Sequence, residues 1–270
     1  MKVVCIFPIT NVSENYPKIL SVFKEKIATG LDSLGAKDVE IKFAGTDYIF
    51  VSTNQTIKGK QKGEGILECL KNCGESPDCV MVCDGSGAIP YEYIVELFQE
   101  IISDLSICGV MANRIENKAI SEERYFIERF EIFILKKYYN YPNELPDGQC
   151  GLWGYRAGKI CANGNHKEII LTAKSYEIEL DLLSELLEKQ LKFSFIDIKL
   201  PPREVKSSFS FDSNINKMKF LLNKYPQLKE YLSTYMRDFE NIEENKVKLD
   251  TYSIKDNWNK YKIEIGRLII

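Results

Sequence analysis

The stretch that decides the fold of this chain is Val80-Met81-Val82-Cys83-Asp84-Gly85-Ser86-Gly87. Its apolar run stops at a carboxylate and is followed by small, turn-forming residues, which predicts a short buried strand that ends at Asp84. In open α/β folds, ligands bind in the crevice beyond the carboxyl ends of the strands. The stretch therefore predicts that Asp84 lies at a sheet edge where a ligand binds.

Strands and helices alternate through the first two-thirds of the sequence, which predicts an α/β fold with a largely parallel sheet covered by helices. Short apolar runs predict strands over 3–7, 39–43, 48–51, 80–84, 107–112 and 193–200. Helical periodicity predicts helices over 14–34, 63–73, 91–102, 121–139 and 176–191. In the tail from residue 212 onward, Pro226 separates two predicted helices, and the apolar end, 263–270, favours a strand or a partner-facing segment.

Composition argues against several classes of protein. The chain has 270 residues, of which 44% are hydrophobic, so it can bury a full core. A net charge of −3 gives no bulk attraction to nucleic acid. The first apolar run is too short, and too soon interrupted by Pro8, to predict a signal peptide or a membrane span. We therefore expect a cytoplasmic protein without a transmembrane segment that does not bind nucleic acid, and its oligomeric state stays open.

The cysteines favour core residues over a metal site. Eight cysteines in a chain without a predicted signal peptide are expected to be reduced thiols. Cys69 and Cys73, like Cys79 and Cys83, are four residues apart, whereas zinc sites favour a Cys-x-x-Cys spacing. Small buried residues are the expectation for these positions.

Several motifs follow one another along the chain. Segment 7–15 reads Phe-Pro-Ile-Thr-Asn-Val-Ser-Glu-Asn, and the basic, glycine-rich segment 58–65 leads into a predicted helix. After Asp84 comes segment 88–97, Ala-Ile-Pro-Tyr-Glu-Tyr-Ile-Val-Glu-Leu, and an Asn-Arg pair follows the next predicted strand. The later motifs are Asp-Gly-Gln-Cys-Gly-Leu at 147–152, Tyr-Glu-Ile-Glu-Leu at 176–180 and Ile-Asp-Ile-Lys-Leu-Pro at 196–201.

In this order and at this spacing, the motifs resemble those of the family-two inverting glycosyltransferases with the GT-A nucleotide-sugar fold. The resemblance is greatest to the branch of dolichyl or polyprenyl phosphate sugar synthases, and segment 147–152, similar to "D-x-Q-C-G-F", is the most specific match. It implies a GT-A domain over 1–210, with a mostly parallel central sheet flanked by helices. Residues 211–270 are then a mainly helical C-terminal appendage.

The resemblance also implies a site and the role of its residues. Asp147 and Glu179 are the catalytic candidates, with Asp147 as the base that takes the acceptor's proton. A divalent cation, Mg²⁺ or Mn²⁺, would be held by Asp84 and Ser86. The residues implied to bind the nucleotide-sugar donor are Pro8, Thr10, Asn11, Asp47, Lys62, Asp84, Gly85, Arg114, Arg124, Arg129 and Gln149.

The metal motif departs from the family's pattern. Sugar transfer must neutralise a departing diphosphate, which GT-A enzymes commonly do with a cation on an Asp-x-Asp motif. Here that motif is degenerate, because Ser86 replaces the second carboxylate and Ala88 replaces a nearby glutamine. Either a cation still binds, with water filling the gap, or Lys62 and the arginines neutralise the diphosphate.

Structural explanations compete for two of these assignments. Glutamates interleave with Arg124 and Arg129, so these arginines are equally expected to form ion pairs along a helix. Asp147 precedes Gly148, and Asp-Gly is a strong turn former, so the aspartate would instead cap a turn.

Three functions remain open. The first is a glycosyltransferase, of the hexosyltransferase type, that moves a sugar with inversion to an unknown acceptor: a lipid phosphate, a saccharide or a small molecule. The second is a nucleotide-sugar binding protein that has lost catalysis, as Ser86 and Ala88 suggest. The third is a sugar-phosphate nucleotidyltransferase, which ranks last because residues 8–18 lack the glycines and arginines that its phosphate loop requires.

Overall fold

The computed structural model describes residues 1–9, 18–19, 21–45, 61–71, 77–86, 89–117, 120–143, 145–157, 169–201, 210–244 and 252–269. The chain folds into two compact units. The first unit comprises 1–117 and 148–202, and the second comprises 118–147 and 203–270. The functional division predicted from the sequence, 1–210 and 211–270, stays a prediction.

The first unit contains a six-stranded sheet whose strands lie in the order β2-β1-β3-β5-β4-β6. Strands β1 and β2 are parallel, as are β1 and β3 and also β4 and β6, whereas β5 runs antiparallel between β3 and β4. The strands are β1 (Lys2–Ile9), β2 (Asp38–Gly45), β3 (Cys79–Cys83), β4 (Gly109–Asn117), β5 (Leu152–Arg156) and β6 (Phe193–Leu200).

Helices flank this sheet. A π-helical turn, Phe23–Ile27, runs directly into α1 (Ala28–Ser33). The other helices of the first unit are α2 (Lys62–Lys71), α3 (Tyr93–Ser103) and α5 (Ile178–Glu188). Those of the second unit are α4 (Glu122–Tyr138), α6 (Phe211–Lys224), α7 (Leu228–Glu244) and α8 (Tyr252–Ile269).

Buried apolar runs place the central strands where the sequence predicts them. All five residues of β3 are buried, as are the residues of β1 from Val3 to Ile9. Helix α3 turns Ile94, Leu97 and Phe98 inward, at the spacing of a helix face packed on a sheet. The predicted mostly parallel α/β sheet flanked by helices is confirmed. The strand predicted over 48–51 lies outside the described residues.

The second unit has an aromatic core. Phe126 and Phe130 of α4 contact Phe239 of α7 and Trp258 of α8, with ring centroids 4.9 to 5.4 Å apart. Both phenylalanines are buried, so these aromatic residues of α4 serve packing.

Two elements differ from the sequence-based prediction. Strand β5 was not predicted, and its glycine explains why: a side chain at Gly154 would lie 2.6 Å from the Leu97 side chain and 2.8 Å from the Val80 carbonyl oxygen. Close packing therefore requires a residue that weakens the strand pattern. The strand considered for 263–270 is wrong, because α8 extends to Ile269 and buries Trp258, Tyr261 and Ile265 at helical spacing.

Candidate functional site

Asp84 follows β3 directly, at the carboxyl end of the strand, and backbone hydrogen bonds fix the turn that it begins. The Asp84 N–H donates to the Gly151 carbonyl (2.8 Å), and the Gly85 N–H donates to the Pro8 carbonyl (2.7 Å). The Ser86 N–H donates to Asp84 Oδ1 (3.2 Å). The turn is thus tied to the end of β1 on one side and to the residues before β5 on the other. It lies at the sheet edge at which α/β folds bind ligands.

The turn requires glycine at its second position. A Cβ at Gly85 would lie 2.1 Å from Cγ2 of Ile9 and 2.7 Å from the Pro8 carbonyl oxygen. The Tyr91 hydroxyl donates to the Gly85 carbonyl (3.3 Å), and the Tyr91 ring packs edge-on against Phe7, with centroids 5.6 Å apart. No motif in the sequence indicates this role of Tyr91, because a hydroxyl that bonds a backbone carbonyl leaves no local pattern.

Lys62, the first residue of α2, forms an ion pair with Glu179 in the first turn of α5. Their side chains are 10% and 3% exposed, so water screens the pair weakly. Burial by itself lowers the pKa of Lys62, but the carboxylates of Glu179 and Asp84 outweigh it and raise the pKa overall. Lys62 therefore carries a positive charge beside two carboxylates that belong to different motifs of the sequence.

Gly151 lies between two of these charges. Its φ is +86°, a left-handed conformation that favours glycine. A Cβ there would lie 3.0 Å from the Asp84 Cβ and 3.2 Å from Lys62 Nζ. The ammonium and the aspartate thus border the same small space over Gly151. A larger residue at 151 would fill it.

The segment 170–175 is hydrogen-bonded to both helices that carry Lys62 and Glu179, α2 and α5. Asp181 of α5 accepts hydrogen bonds from the backbone N–H groups of Thr172 (2.5 Å) and Ala173 (2.8 Å). The Lys174 carbonyl in turn accepts from the Glu64 N–H of α2 (2.8 Å). Gly63 permits this approach, since a Cβ there would lie 2.4 Å from the Ala173 carbonyl oxygen. The fully buried Asp181 is a positioning residue that the sequence motifs did not indicate.

Two further predicted residues of the first unit are buried. Arg114 is 3% exposed and lies near the carboxyl end of β4, where it is in register with Ile198 of β6. Gln149, 5% exposed, lies two residues before Gly151. Their roles toward a nucleotide stay predictions.

Three predicted residues lie in the second unit. Arg124 donates through Nε to Glu128 Oε1 (2.9 Å), as expected for an ion pair along a helix, and Arg129 lies 6.0 Å from the centroid of the Tyr125 ring. Asp147 is 6% exposed and ends this unit's first segment. The donor contacts predicted for the arginines and the catalytic role of Asp147 stay predictions. Thr10, Asn11 and Asp47 lie outside the described residues.

The residues present suit a divalent cation only in part. Asp84 and Ser86 offer hard oxygen donors of the kind that Mg²⁺ and Mn²⁺ prefer. Within the described parts of the chain, no group of three or more His, Cys, Asp or Glu side chains could hold a metal ion. A cation at Asp84 would therefore have no cluster of three such side chains among the described residues, and the phosphates of a bound nucleotide would supply further oxygen ligands.

The fold is that of the GT-A glycosyltransferases, as comparison with solved structures shows. Glucosyl-3-phosphoglycerate synthase from Mycobacterium tuberculosis, in complex with Mn²⁺ and UDP-glucose, matches with a TM-score of 0.55 and 13% identity, over 82% of this chain and 78% of that one. A second structure of this synthase has a TM-score of 0.56 and 15% identity, over 82% and 80%. Its complex with Mg²⁺ and UDP has a TM-score of 0.53 and 14% identity, over 82% and 78%.

These similarities define the fold class and nothing finer. The resemblance to the polyprenyl phosphate branch gains no support from these structures. No family model matches the chain, and no curated protein sequence matches it. Among the described residues, no helix is long and apolar enough to cross a membrane.

Proposed function

We propose that the chain is a glycosyltransferase that moves a hexosyl group from a nucleotide-diphosphate sugar to an acceptor with inversion at the anomeric carbon. The observation that carries the proposal is the convergence of Asp84, Lys62 and Glu179 in the first unit. These residues come from three separate motifs of the sequence, and charge interactions join them at the carboxyl end of β3. We infer that this cluster faces the donor diphosphate.

The donor diphosphate would lie at the turn of Asp84 and Gly85. Lys62 supplies a protonated ammonium there, and Arg114 supplies a second cation on β4, two strands from β3 in the sheet. UDP-glucose is the first donor to test, because it is the donor bound in a structure with the same fold. When bound, a divalent cation would supply additional charge to the leaving diphosphate, and Asp84 and Ser86 are the residues that would hold it.

Inversion requires a carboxylate that takes the proton of a hydroxyl acceptor as it attacks the anomeric carbon. Asp147 is the first candidate, because it begins the most family-like motif of the sequence, and Glu179 is the second. An ionised phosphate acceptor would need little help from a base. Phosphate-bearing acceptors are the first class to test, since the solved synthase with this fold is named for a phosphorylated compound. We propose a cytoplasmic location.

A binding protein without catalysis is the second candidate, and the observation that favours it is Ser86 in place of a carboxylate. The two candidates share the donor site and differ only in turnover. A sugar-phosphate nucleotidyltransferase ranks third, because segment 8–18 lacks glycine and arginine.

A thermal-shift panel of nucleotide sugars, with and without Mn²⁺, tests the proposal. A ligand at a hundredfold its dissociation constant stabilises the folded state by about 2.7 kcal/mol, which is readily measured. Hydrolysis of the stabilising donor would identify a transferase, whereas stabilisation without hydrolysis or transfer would favour the binding protein. Failure of every common nucleotide and nucleotide sugar to stabilise the chain would refute both.

A further inference from the structure

Lys62 compensates two carboxylates at once. It forms the buried ion pair with Glu179, and its charge interacts with Asp84, the residue that would hold a divalent cation. Among the described residues of this cluster, one ammonium beside two carboxylates leaves one negative charge in excess. The cluster can therefore accept a further cation, but that cation is repelled by the ammonium beside Asp84.

A divalent cation and the Lys62 ammonium would compete for the same aspartate. Asp84 Oδ1 already accepts a hydrogen bond from the Ser86 N–H. A Cβ at Gly151 would lie 3.5 Å from Asp84 Oδ2 and 3.2 Å from Lys62 Nζ, so the second carboxylate oxygen and the ammonium border the same space. Like charges that share a weakly hydrated space repel strongly. In contrast, a diphosphate brings several negative oxygens to which the ammonium can turn.

The geometry allows Lys62 to change partners without movement of the backbone. Gly63 is pressed against the backbone of 173–175, and Asp181 holds that segment on α5, so the helices that carry Lys62 and Glu179 are fixed. The lysine stem is flexible, and its ammonium has three N–H donors. The absence of a side chain at Gly151 leaves space beside Lys62 Nζ.

We propose that Lys62 is a built-in counter-ion that competes with a divalent cation for Asp84, so that cation binding becomes conditional on a donor diphosphate that draws the ammonium away. The proposal rests on the proposed function for the diphosphate step, but the competition itself is a property of the free protein. Glu179 is the second partner that shares the ammonium with Asp84. The site thus binds its cation with the donor rather than before it.

The test measures Mn²⁺ affinity in the absence of nucleotide, by electron paramagnetic resonance of free Mn²⁺, for the wild type and three variants. Lys62→Met removes the competing charge and should tighten Mn²⁺ binding by about tenfold or more. Lys62→Arg keeps the charge and should bind Mn²⁺ as weakly as the wild type. Glu179→Gln removes one of the two carboxylates that share the Lys62 ammonium. Asp84 then interacts with the ammonium more strongly, so Mn²⁺ should bind more weakly than in the wild type.

The opposite directions of Lys62→Met and Glu179→Gln separate the proposal from structural damage, because each variant removes one end of the same ion pair. If Lys62→Met binds Mn²⁺ no more tightly than the wild type, the competition does not exist. Should that variant fail to fold, Lys62→Gln, which can still hydrogen-bond to Glu179, takes its place with the same expectation.

Adding UDP to the wild-type protein distinguishes the two proposals. We expect UDP to tighten Mn²⁺ binding in the wild type by about tenfold or more and to have a smaller effect in Lys62→Met. An equal effect of UDP in both proteins would overturn the conditional step. If UDP binds neither protein, the proposed function fails, and with it the diphosphate step, while the nucleotide-free measurement still decides the competition.

Discussion

Replacing Gly85 by alanine should disrupt the turn on which the site is built. The added methyl group would lie 2.1 Å from Cγ2 of Ile9 and 2.7 Å from the Pro8 carbonyl oxygen. The first neighbour is a branch of a stiff β-branched side chain and the second is backbone, so neither can move cheaply. The turn itself must shift, which breaks the 2.7 Å hydrogen bond from the Gly85 N–H to Pro8.

The expected cost combines two effects. Forcing an extra methyl into a packed site costs about 1 to 3 kcal/mol, and leaving a buried N–H without its partner costs a similar amount. We therefore expect Gly85→Ala to lower the free energy of unfolding of the first unit by roughly 2 to 6 kcal/mol. Because Asp84 moves with the turn, nucleotide affinity should fall in the molecules that remain folded.

The chain carries a convenient reporter for this measurement. It has two tryptophans, Trp153 on β5 in the first unit and Trp258 on α8 in the second. In a Trp258→Phe background, urea unfolding followed by tryptophan fluorescence reports on the first unit alone. Gly266→Ala is the control, since a Cβ there would have no described residue beyond its own stretch of helix within 4 Å and should leave the Trp153 transition unchanged. An unfolding midpoint for Gly85→Ala equal to that of the control would refute the packing at the turn.

Three further predictions concern other parts of the chain. Lys217 is 2% exposed and forms ion pairs with two fully buried glutamates of α4. Lys217→Met should therefore lower the free energy of unfolding of the second unit by about 3 to 5 kcal/mol, measured by urea unfolding with Trp258 fluorescence. Lys217→Arg, which keeps the charge, should lower it much less. Asp147→Asn should reduce transfer by about a hundredfold while donor affinity and melting temperature stay near wild type; early unfolding with normal turnover would make Asp147 structural. Hydrogen bonds lower the pKa of Asp104, the one from Lys192 more than the one from Ser106. The ionised carboxylate therefore stabilises the folded state fully above about pH 4, the pKa of an unfolded aspartate, and this stabilisation is lost as the pH falls further. A melting-temperature profile of Asp104→Asn between pH 2 and about 5 should lack that part of the acid dependence.

Local patterns predicted the parts of the fold that they encode. Strand β3 and helix α3 were predicted because an uninterrupted apolar run and a strong helical period are local signals. Strand β5 was missed because Gly154, which weakens its pattern, is needed for the close approach of Leu97. The helix at 263–269 differs from the prediction because the helical period of α8 begins at Ile254, well before the apolar segment 263–270.

The site shows the same limit. Order and spacing of motifs indicated Lys62, Asp84 and Glu179 as candidates, but not that Lys62 joins the other two. Lys62 and Glu179 are separated by 117 positions in the chain, and the packing of α2 and α5 on the segment 170–175 brings them together. Asp181 was not indicated by the motifs, since two of its hydrogen bonds come from the backbone N–H groups of Thr172 and Ala173, which carry no sequence signal.

The most direct test of the central claim is a calorimetric titration of the protein with UDP-glucose in the presence of Mn²⁺, repeated with Asp84→Asn. If the carboxyl end of β3 is a donor site, the wild type should bind UDP-glucose, and Asp84→Asn, which keeps the size of the side chain but removes its charge, should bind at least about tenfold more weakly under the same conditions. Absence of binding by the wild type to UDP-glucose and to every other common nucleotide sugar, or equal affinity of the two proteins, would contradict the assignment of this site.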